Sequence, residues 1–527
     1  MKSHKILDRK STADVMALTS MQEGLLFHYL KDPESDHYFE QLSLGISGPV
    51  DIGYFEQAWN DVVKVNEMMR VVFRWEKVKI PTQVVLKEHK VRFRYYDLCG
   101  DKGGGEGRKH LEKIKINDRR EKFDLREVPF RVTLCKLEEG KYEVIISNHH
   151  ILYDGWSNGI ILKEFVGAYD RLCKGEPFVP PVKTKFKDYV RWIQTRDNDK
   201  EAGFWRDYLG GIESGTEIRI KTAGEPGGEE TGAGPGKYCF TIAGERKQQL
   251  ETFAQRNNIT FASLLYSVWG IVLQKYNNTP DVVFGTVVSG RSARIKGIED
   301  IVGLFINTLP LRAQFSPNEE TTEFLKKIDS AVKIREEFEA ASLVNIKEYA
   351  GLGGEEELFD TVMAIENYPL DARLTQVTQA QSPPALTIDS YSMEELTHYP
   401  FTVTVNYFED SDAAVEFIYN RGLFQEEAVK RLAGHFVNIL DGIERNAGKY
   451  IHEIDMLSSE EKQQLLVDFN DTGAVYPRDK TIHELFARQV EKTPDRVALV
   501  GAHELHELHE GRKLQIHITY HDLNEKA

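Results

Sequence analysis

Cysteine is scarce in this chain, and the little there is sits badly for chemistry. Cys99, Cys135, Cys173 and Cys239 lie far apart with no C-x-x-C pairing. That spacing argues against a zinc site or disulfide framework and makes a reducing cytoplasm the expected setting. Positive charge is also in deficit. Sixty-seven Lys and Arg against 83 Asp and Glu leave a net charge of -16, and no basic stripe stands out, so nucleic acid is not an expected partner. No run of about 18 or more apolar residues occurs, so no membrane span is expected. The first ten residues are charged and have no apolar stretch of the secretory kind. Two glycine-rich segments, 101–107 and 224–236, lack both the strand–turn–helix setting and the Lys-Ser/Thr ending of a phosphate loop. They are expected to be surface loops.

What remains is the composition of a soluble globular protein, 41% hydrophobic and 28% charged over 527 residues. That length suggests roughly two to four domains. The pattern reads as mixed α/β. Ser20 and Glu23 suggest a capping box, with Met21, Leu25 and His28 on one helical face. Residues 55–65 read as an amphipathic helix and 71–73 as the start of a strand. A strand at 142–147 and a helix at 158–172 flank a short connection. Further on, Phe261, Leu265, Val268 and Val272 mark a buried helical face within 260–276, followed by strands at 281–288 and 359–366. A hairpin is expected from 401–408 and 414–419 around residues 409–412. Val429, Leu432, Phe436, Ile439 and Ile443 define a last amphipathic helix, and the polar stretch 457–480 reads as a linker. The chain thus divides into two α/β halves of about two hundred residues each, a linker and a tail.

The chemistry concentrates in the connection between 147 and 158, His149-His150-Ile151-Leu152-Tyr153-Asp154-Gly155. An imidazole on a strand-to-helix turn is well suited to proton handling. Imidazole and carboxylate are also metal ligands, but neighbours on a strand point to opposite faces, so His149 and His150 do not readily converge on one ion. A buried hydrogen-bonded pair beside an Asp helix cap is the plain structural alternative. In the acid–base reading one histidine faces a cavity and the other orients it, while Asp154 pairs with an arginine to brace the loop. Gly155 lets a reacting carbonyl approach the backbone. Spacing alone leaves these readings open.

The heptapeptide resembles the active-site motif of the condensation domains of nonribosomal peptide synthetases, and other stretches match that family in order. Leu18-Thr19-Ser20-Met21-Gln22-Glu23-Gly24-Leu25-Leu26-Phe27-His28 resembles the first core motif. Asn66-Glu67-Met68-Met69-Arg70-Val71-Val72-Phe73 resembles the second, with Asn66 where histidine is usual. Phe186-Lys187-Asp188-Tyr189-Val190-Arg191-Trp192 resembles the fourth. Residues 285–291 and 302–310 resemble the fifth, and Ile365-Glu366-Asn367-Tyr368-Pro369 closes a late motif. The resemblance covers about 14–450. It departs where many members carry a His-Gln pair, since this chain reads Leu343-Val344-Asn345-Ile346-Lys347-Glu348-Tyr349.

The resemblance implies an α/β fold of two chloramphenicol acetyltransferase-like lobes, a V-shaped pseudo-dimer with a tunnel between them. It implies peptide-bond formation between an upstream aminoacyl or peptidyl thioester and the amine of a downstream aminoacyl thioester. Both substrates ride on phosphopantetheine arms of carrier proteins, so the domain itself binds no cofactor and no metal. His150 would serve as base or hold the amine, with His149 beside it. Asp154 would be structural with Arg291 as its ionic partner, and Gly155 and Asn367 would line the reacting centre. Trp156 and Ser157 continue the motif, as packing and helix capping also explain.

The same resemblance implies a layout of 1–16 as a docking-like segment, 17–178 as the N-lobe, 179–450 as the C-lobe, 451–480 as linker and 481–527 as the truncated start of an adenylation domain. The expected partners are an upstream donor carrier, on a separate synthetase chain, a downstream acceptor carrier and the adjoining adenylation domain. The stretch from Met21 to His28 is of a kind frequent where the donor is D-configured. An epimerisation domain of the same fold and a non-catalytic docking scaffold are the competing functions. The repeat His503-Glu504-Leu505-His506-Glu507-Leu508-His509-Glu510 misses the metalloprotease spacing, which requires histidine at 507.

Overall fold

The computed structural model describes residues 9–99, 106–220, 235–352, 356–366, 385–407, 412–504 and 513–527. Contacts divide the chain into two compact units, Met1–Ser458 and Ser459–Ala527. The larger unit begins with β1 (Thr12–Ala17), β2 (Phe39–Ser47), β3 (Val71–Arg74), β4 (Thr82–Leu86), β5 (Arg92–Asp97), β6 (Phe130–Glu138) and β7 (Lys141–His149). It continues with β8 (Pro235–Ile242), β9 (Asp281–Val288), β10 (Asn307–Gln314), β11 (Thr361–Glu366), β12 (Thr387–Glu394), β13 (Phe401–Tyr407) and β14 (Ala413–Asn420).

Period-two patterning builds the first large sheet, ordered β12-β2-β7-β6-β5. Leu42 and Leu44 of β2 pair with Ile146 and Val144 of β7. All four are buried in one core, because residues two apart share a sheet face. Helix Gly155–Cys173 packs on that core through Phe165, whose ring stacks on Trp59 of helix Ile52–Val65 at 4.5 Å. A second core lies under the sheet β10-β9-β11-β13-β14-β8. Helix Phe261–Asn277 buries Phe261, Leu265, Val268 and Val272 there, and helix Glu426–Arg445 adds Val429, Leu432, Phe436, Ile439 and Ile443. A small sheet, β1-β4-β3, completes the larger unit.

The two halves are not separate along the chain. β12 arises late, yet it pairs antiparallel with β2, Glu394 opposite Gln41 and Tyr391 opposite Leu44. Ile298, Ile301, Val302, Leu304 and Phe305 likewise enter the first core. The connection after β7 is fastened to that second-half segment through Asp154, which is completely buried. Asp154 Oδ1 accepts from the backbone and hydroxyl of Ser157 at 3.1 and 2.9 Å and from Arg291 Nη2 at 3.0 Å. Its Oδ2 accepts from Phe305 N at 3.0 Å. Arg291 also donates to the carbonyls of Ile298 and Ile301, and its guanidinium lies 4.1 Å from the Phe305 ring centroid. Gly290 makes this approach possible. Its φ is +64°, and a Cβ there would lie 1.8 Å from the Phe305 carbonyl oxygen.

Several expectations need correction. The first helix is capped by Thr19, not Ser20. Thr19 Oγ1 accepts from Gln22 N, and the Gln22 side chain returns a bond to Thr19 N. Gln22 rather than Glu23 is chosen because it is fully buried, where an amide can be satisfied by Gln83 and the Ile151 carbonyl. The stretch read as a linker is structured in part: Ile451 and Ile454 lie in the second core, and Ser459–Leu466 is an exposed helix. Its polar composition hid both the isolated apolar anchors and the helix-forming run of Glu, Lys, Gln and Leu. Of the glycine-rich segments, Glu106 already begins a helix and Gly236 pairs with Tyr419 in β14. Residues 101–105 and 224–234 lie outside the described residues, as does the hairpin turn at 408–411. In the smaller unit, helix Ile482–Lys492 accompanies β15 (Val497–Glu504), β16 (Lys513–Thr519) and helix Tyr520–Lys526. Residues 505–510 of the His-Glu repeat lie outside the described residues.

Arg291→Ala leaves the Asp154 carboxylate buried without its countercharge. It is expected to cost about 3–5 kcal/mol in urea denaturation of the folded chain. Gly290→Ala should lose at least about 1–2 kcal/mol from the left-handed backbone alone, read by the same measurement.

Candidate active site

The alternation that builds β2 and β7 also gives the two histidines different surroundings. Glu40, Leu42, Leu44 and Ile46 share one face of β2, opposite Asn148, Ile146, Val144 and Tyr142 of β7. His150 continues the even series of β7, whereas His149 belongs to the other face. Both rings are buried, at 4% and 5% exposure. His150 N donates to the Tyr38 carbonyl at 2.8 Å, which fixes the turn as it leaves the strand. Tyr38 N in turn donates to Leu396 O, so the segment after β12 is tied to the same turn.

His150 sits among acceptors. Its Nδ1 lies 2.9 Å from the Tyr153 carbonyl and 2.8 Å from Glu40 Oε1. Its Nε2 lies 3.7 Å from Glu395 Oε1, an ion-pair distance rather than a hydrogen bond. Glu40 Oε2 accepts from Asn148, whose amide oxygen accepts from the Tyr153 hydroxyl at 2.8 Å. Burial alone drives an imidazole toward neutrality, but the carboxylates of Glu40 and then Glu395 outweigh it and hold His150 up at about 10. His149 is the opposite case. Burial, reinforced by the charge of His150, holds it down at about 3, and its Nδ1 accepts from Ile151 N at 3.1 Å. His149 is therefore a neutral acceptor that shapes the turn.

Carboxylates continue around the ring. Burial raises Glu395 against the opposing pull of His150. Glu366, at the end of β11, is raised to about 8 by burial and by the charges of Glu395, Glu416 and Glu40. Beside them Tyr38 shares a hydrogen bond with His398 Nδ1, and His28 stacks on His398 with ring centroids 3.8 Å apart. Burial holds those two histidines down at about 4 and about 3.

Asp154, Ser157 and Arg291 form the brace described above, and Gly155 begins the motif helix that Asp154 caps. Ser157 Oγ also reaches the backbone of Gly303 from both sides, at 3.2 Å each. Trp156 Nε1 donates to the Glu299 carbonyl at 3.0 Å, and Arg291 lies 5.6 Å from its ring centroid. Asn367 lies outside the described residues. Asn66, in the place where histidine is usual, is a buried tie. It donates to Val62 O and Glu164 and accepts from Lys183.

His149, His150 and Asp154 face separate partners and do not converge. Among the described residues, the group compact enough to be tested as an ion site is Glu40, His150 and Glu395, with one ligand atom from each within 4.8 Å of the others. Within that group Glu40 Oε1 lies at ion-pair distance from His150 Nδ1, 2.8 Å, while the hydrogen bond of that nitrogen goes to the Tyr153 carbonyl.

Glu40 and Glu395 were not anticipated. Glu40 carried a readable signal, a carboxylate on the inward face of an alternating strand. Glu395 carried none, since only the pairing of β12 with β2 brings it to His150.

The condensation domain family model matches residues 12–466. Tyrocidine synthase 2 of Brevibacillus parabrevis is 35% identical over 526 residues, 99% of this chain and 14% of that protein. Gramicidin S synthase 2 of Brevibacillus brevis is 34% identical over 98% of this chain and 11% of its own length. For bacitracin synthase 1 of Bacillus licheniformis the figures are 32%, 97% and 9%. The chain thus spans only a small part of the curated relatives it matches. Among solved structures, the first condensation domain of the calcium-dependent antibiotic synthetase in complex with a substrate analogue superposes with a TM-score of 0.67 at 17% identity, covering 85% of this chain and 100% of that one. The starter condensation domain of rhizomide synthetase gives 0.68 at 16%, with coverage of 85% and 100%. At such identities the likeness shows the fold alone, a mixed α/β fold of the chloramphenicol acetyltransferase-like kind. With the family model matched over most of its length, this chain belongs to the condensation domain family.

Proposed function

We propose that this chain forms a peptide bond between two carrier-bound substrates. The amine of a downstream aminoacyl thioester attacks the carbonyl of an upstream aminoacyl or peptidyl thioester, both presented on phosphopantetheine arms, with a D-configured donor favoured. The observation that carries the reading is the family match over residues 12–466 with the His149-to-Gly155 loop intact and braced at its centre. The arms would enter a tunnel between the lobes. The N-terminal segment, residues 481–527 and a cytoplasmic setting fit a synthetase module, with carriers and an adenylation domain as partners.

A thioester is already activated, so holding both ends in near-attack geometry supplies much of the acceleration. Of the two roles open to His150, the ion pair with Glu40 favours holding over proton removal. An imidazolium has no free lone pair, but it can donate to the oxyanion of the tetrahedral intermediate. Asp154 and Arg291 keep the loop from shifting, Gly155 leaves the backbone open to the reacting carbonyl, and Asn367 would face the same centre. Epimerisation is the second reading, because that activity is built on the same fold and histidine motif.

With two loaded carriers, wild type is expected to yield the dipeptidyl thioester by mass spectrometry, faster with D- than with L-aminoacyl donors. His150→Ala should lower turnover by about 10²–10³. Deuterium exchange at the α-carbon of a single loaded carrier, without dipeptide, would instead establish the epimerisation reading. The pair also sets a pH dependence. A histidine held at about 10 when folded and 6.5 when unfolded contributes in full below about pH 6.5 and loses that contribution as pH rises through about 10. The stability gap between wild type and His150→Ala in urea should narrow from pH 7 to 10.

A further inference from the structure

We propose that Glu395, not His150, takes the proton from the attacking amine, and that Glu40 acts through His150 as a positioning residue. The inference rests on the peptide-bond reading above and assigns the proton path within it.

The geometry sets His150 between two carboxylates, Glu40 on the Nδ1 side and Glu395 on the Nε2 side. Its Nδ1 faces two acceptors, the Tyr153 carbonyl and Glu40, and its Nε2 faces a third, Glu395. Carboxylates within 4 Å of both nitrogens favour the charged form of the ring. Glu395 differs from its neighbours in access. Its side chain is 30% exposed, whereas those of Glu40 and His150 are 1% and 5%. Of the three groups in direct contact, it is the one open enough both to meet a substrate and to pass a proton to water. Glu40 cannot exchange roles with it, since one oxygen is held by Asn148 and the other abuts His150. The groups facing Glu395 are His150 from the turn after β7, Glu40 from β2, Glu366 from β11 and the Tyr38 phenol. One positive charge among three carboxyl groups is a setting that attracts a second cation, and the acceptor arrives as an ammonium. Burial and Glu40 both lift Glu395 above the usual carboxylate range, closer to the affinity an amine demands of its base.

The step balances. The ammonium gives one proton to the Glu395 carboxylate, and the freed nitrogen pair attacks the thioester carbon. The C–N bond forms as the carbonyl pair moves onto oxygen, where the His150 imidazolium opposes its charge. On collapse the C–S bond breaks with its electrons on sulfur. The thiolate takes the proton from Glu395, and the nitrogen's second proton leaves to water. The products are an amide, a thiol and one released proton, and His150 ends as it began.

The test is Glu395→Gln in the full chain, assayed with both carriers loaded from pH 6 to 9.5 alongside wild type and Glu395→Asp. An α-ammonium loses its proton near pH 7.7–8.0, so at alkaline pH the acceptor arrives needing less help. Glu395→Gln is expected to lose about 10²-fold at pH 6.5–7 and to regain most of it by pH 9.5. The acceptor KM at high pH should stay within about threefold of wild type, the thermal midpoint should hold, and Glu395→Asp should keep part of the neutral-pH rate. A Glu395→Gln rate close to wild type at pH 7, or an equal loss at every pH, overturns the assignment. A lowered thermal midpoint with equal loss in Glu395→Asp overturns it too. A wild-type chain that makes no dipeptide sinks the peptide-bond reading itself, an outcome distinct from any of these.

Discussion

The loop that carries His150 depends on one buried carboxylate. Asp154 is removed from water entirely, and its oxygens are satisfied by its own helix through Ser157 and by the later segment through Arg291 and Phe305. A charge in that position is costly unless its partners hold their geometry. The constraint therefore runs both ways: the motif helix is capped, and the segment from Arg291 to Phe305 is docked on the first core. Gly290 belongs to the same constraint, because any side chain there would push the Phe305 carbonyl away.

Once the loop is fixed, electrostatics decide what its histidines can do. His149 and His150 are adjacent and equally buried, yet the structure drives them in opposite directions. His149 meets a backbone N–H and stays neutral. His150 meets Glu40 and Glu395 and keeps its charge. Desolvation is common to both, so the difference lies wholly in the partners. A charged ring steadies negative charge on a reacting carbonyl better than it removes a proton from an amine.

Much of the fold could be read in advance. The strand at residues 281–288 follows from its run of β-branched and aromatic residues, and the faces of the helices around 265 and 436 follow from helical periodicity. The cap of the first helix was misplaced by one residue because Thr19 and Ser20 offer equivalent hydroxyls, and only the burial of Gln22 separates them. The segment after residue 450 was misread because two isolated isoleucines leave no period to detect.

The sequence by itself determined the family, the position of the histidine turn, and the alternation that gives His149 and His150 different neighbours. These are local properties, set by side-chain alternation and by motifs only a few residues long. The tertiary structure alone decided the charge on His150. That depends on Glu40, 110 residues earlier, and on Glu395, brought in by a strand that returns from the second half to pair with β2. Nothing in the spacing along the chain encodes that pairing, because its register is set by the packing of two sheet faces rather than by any local pattern.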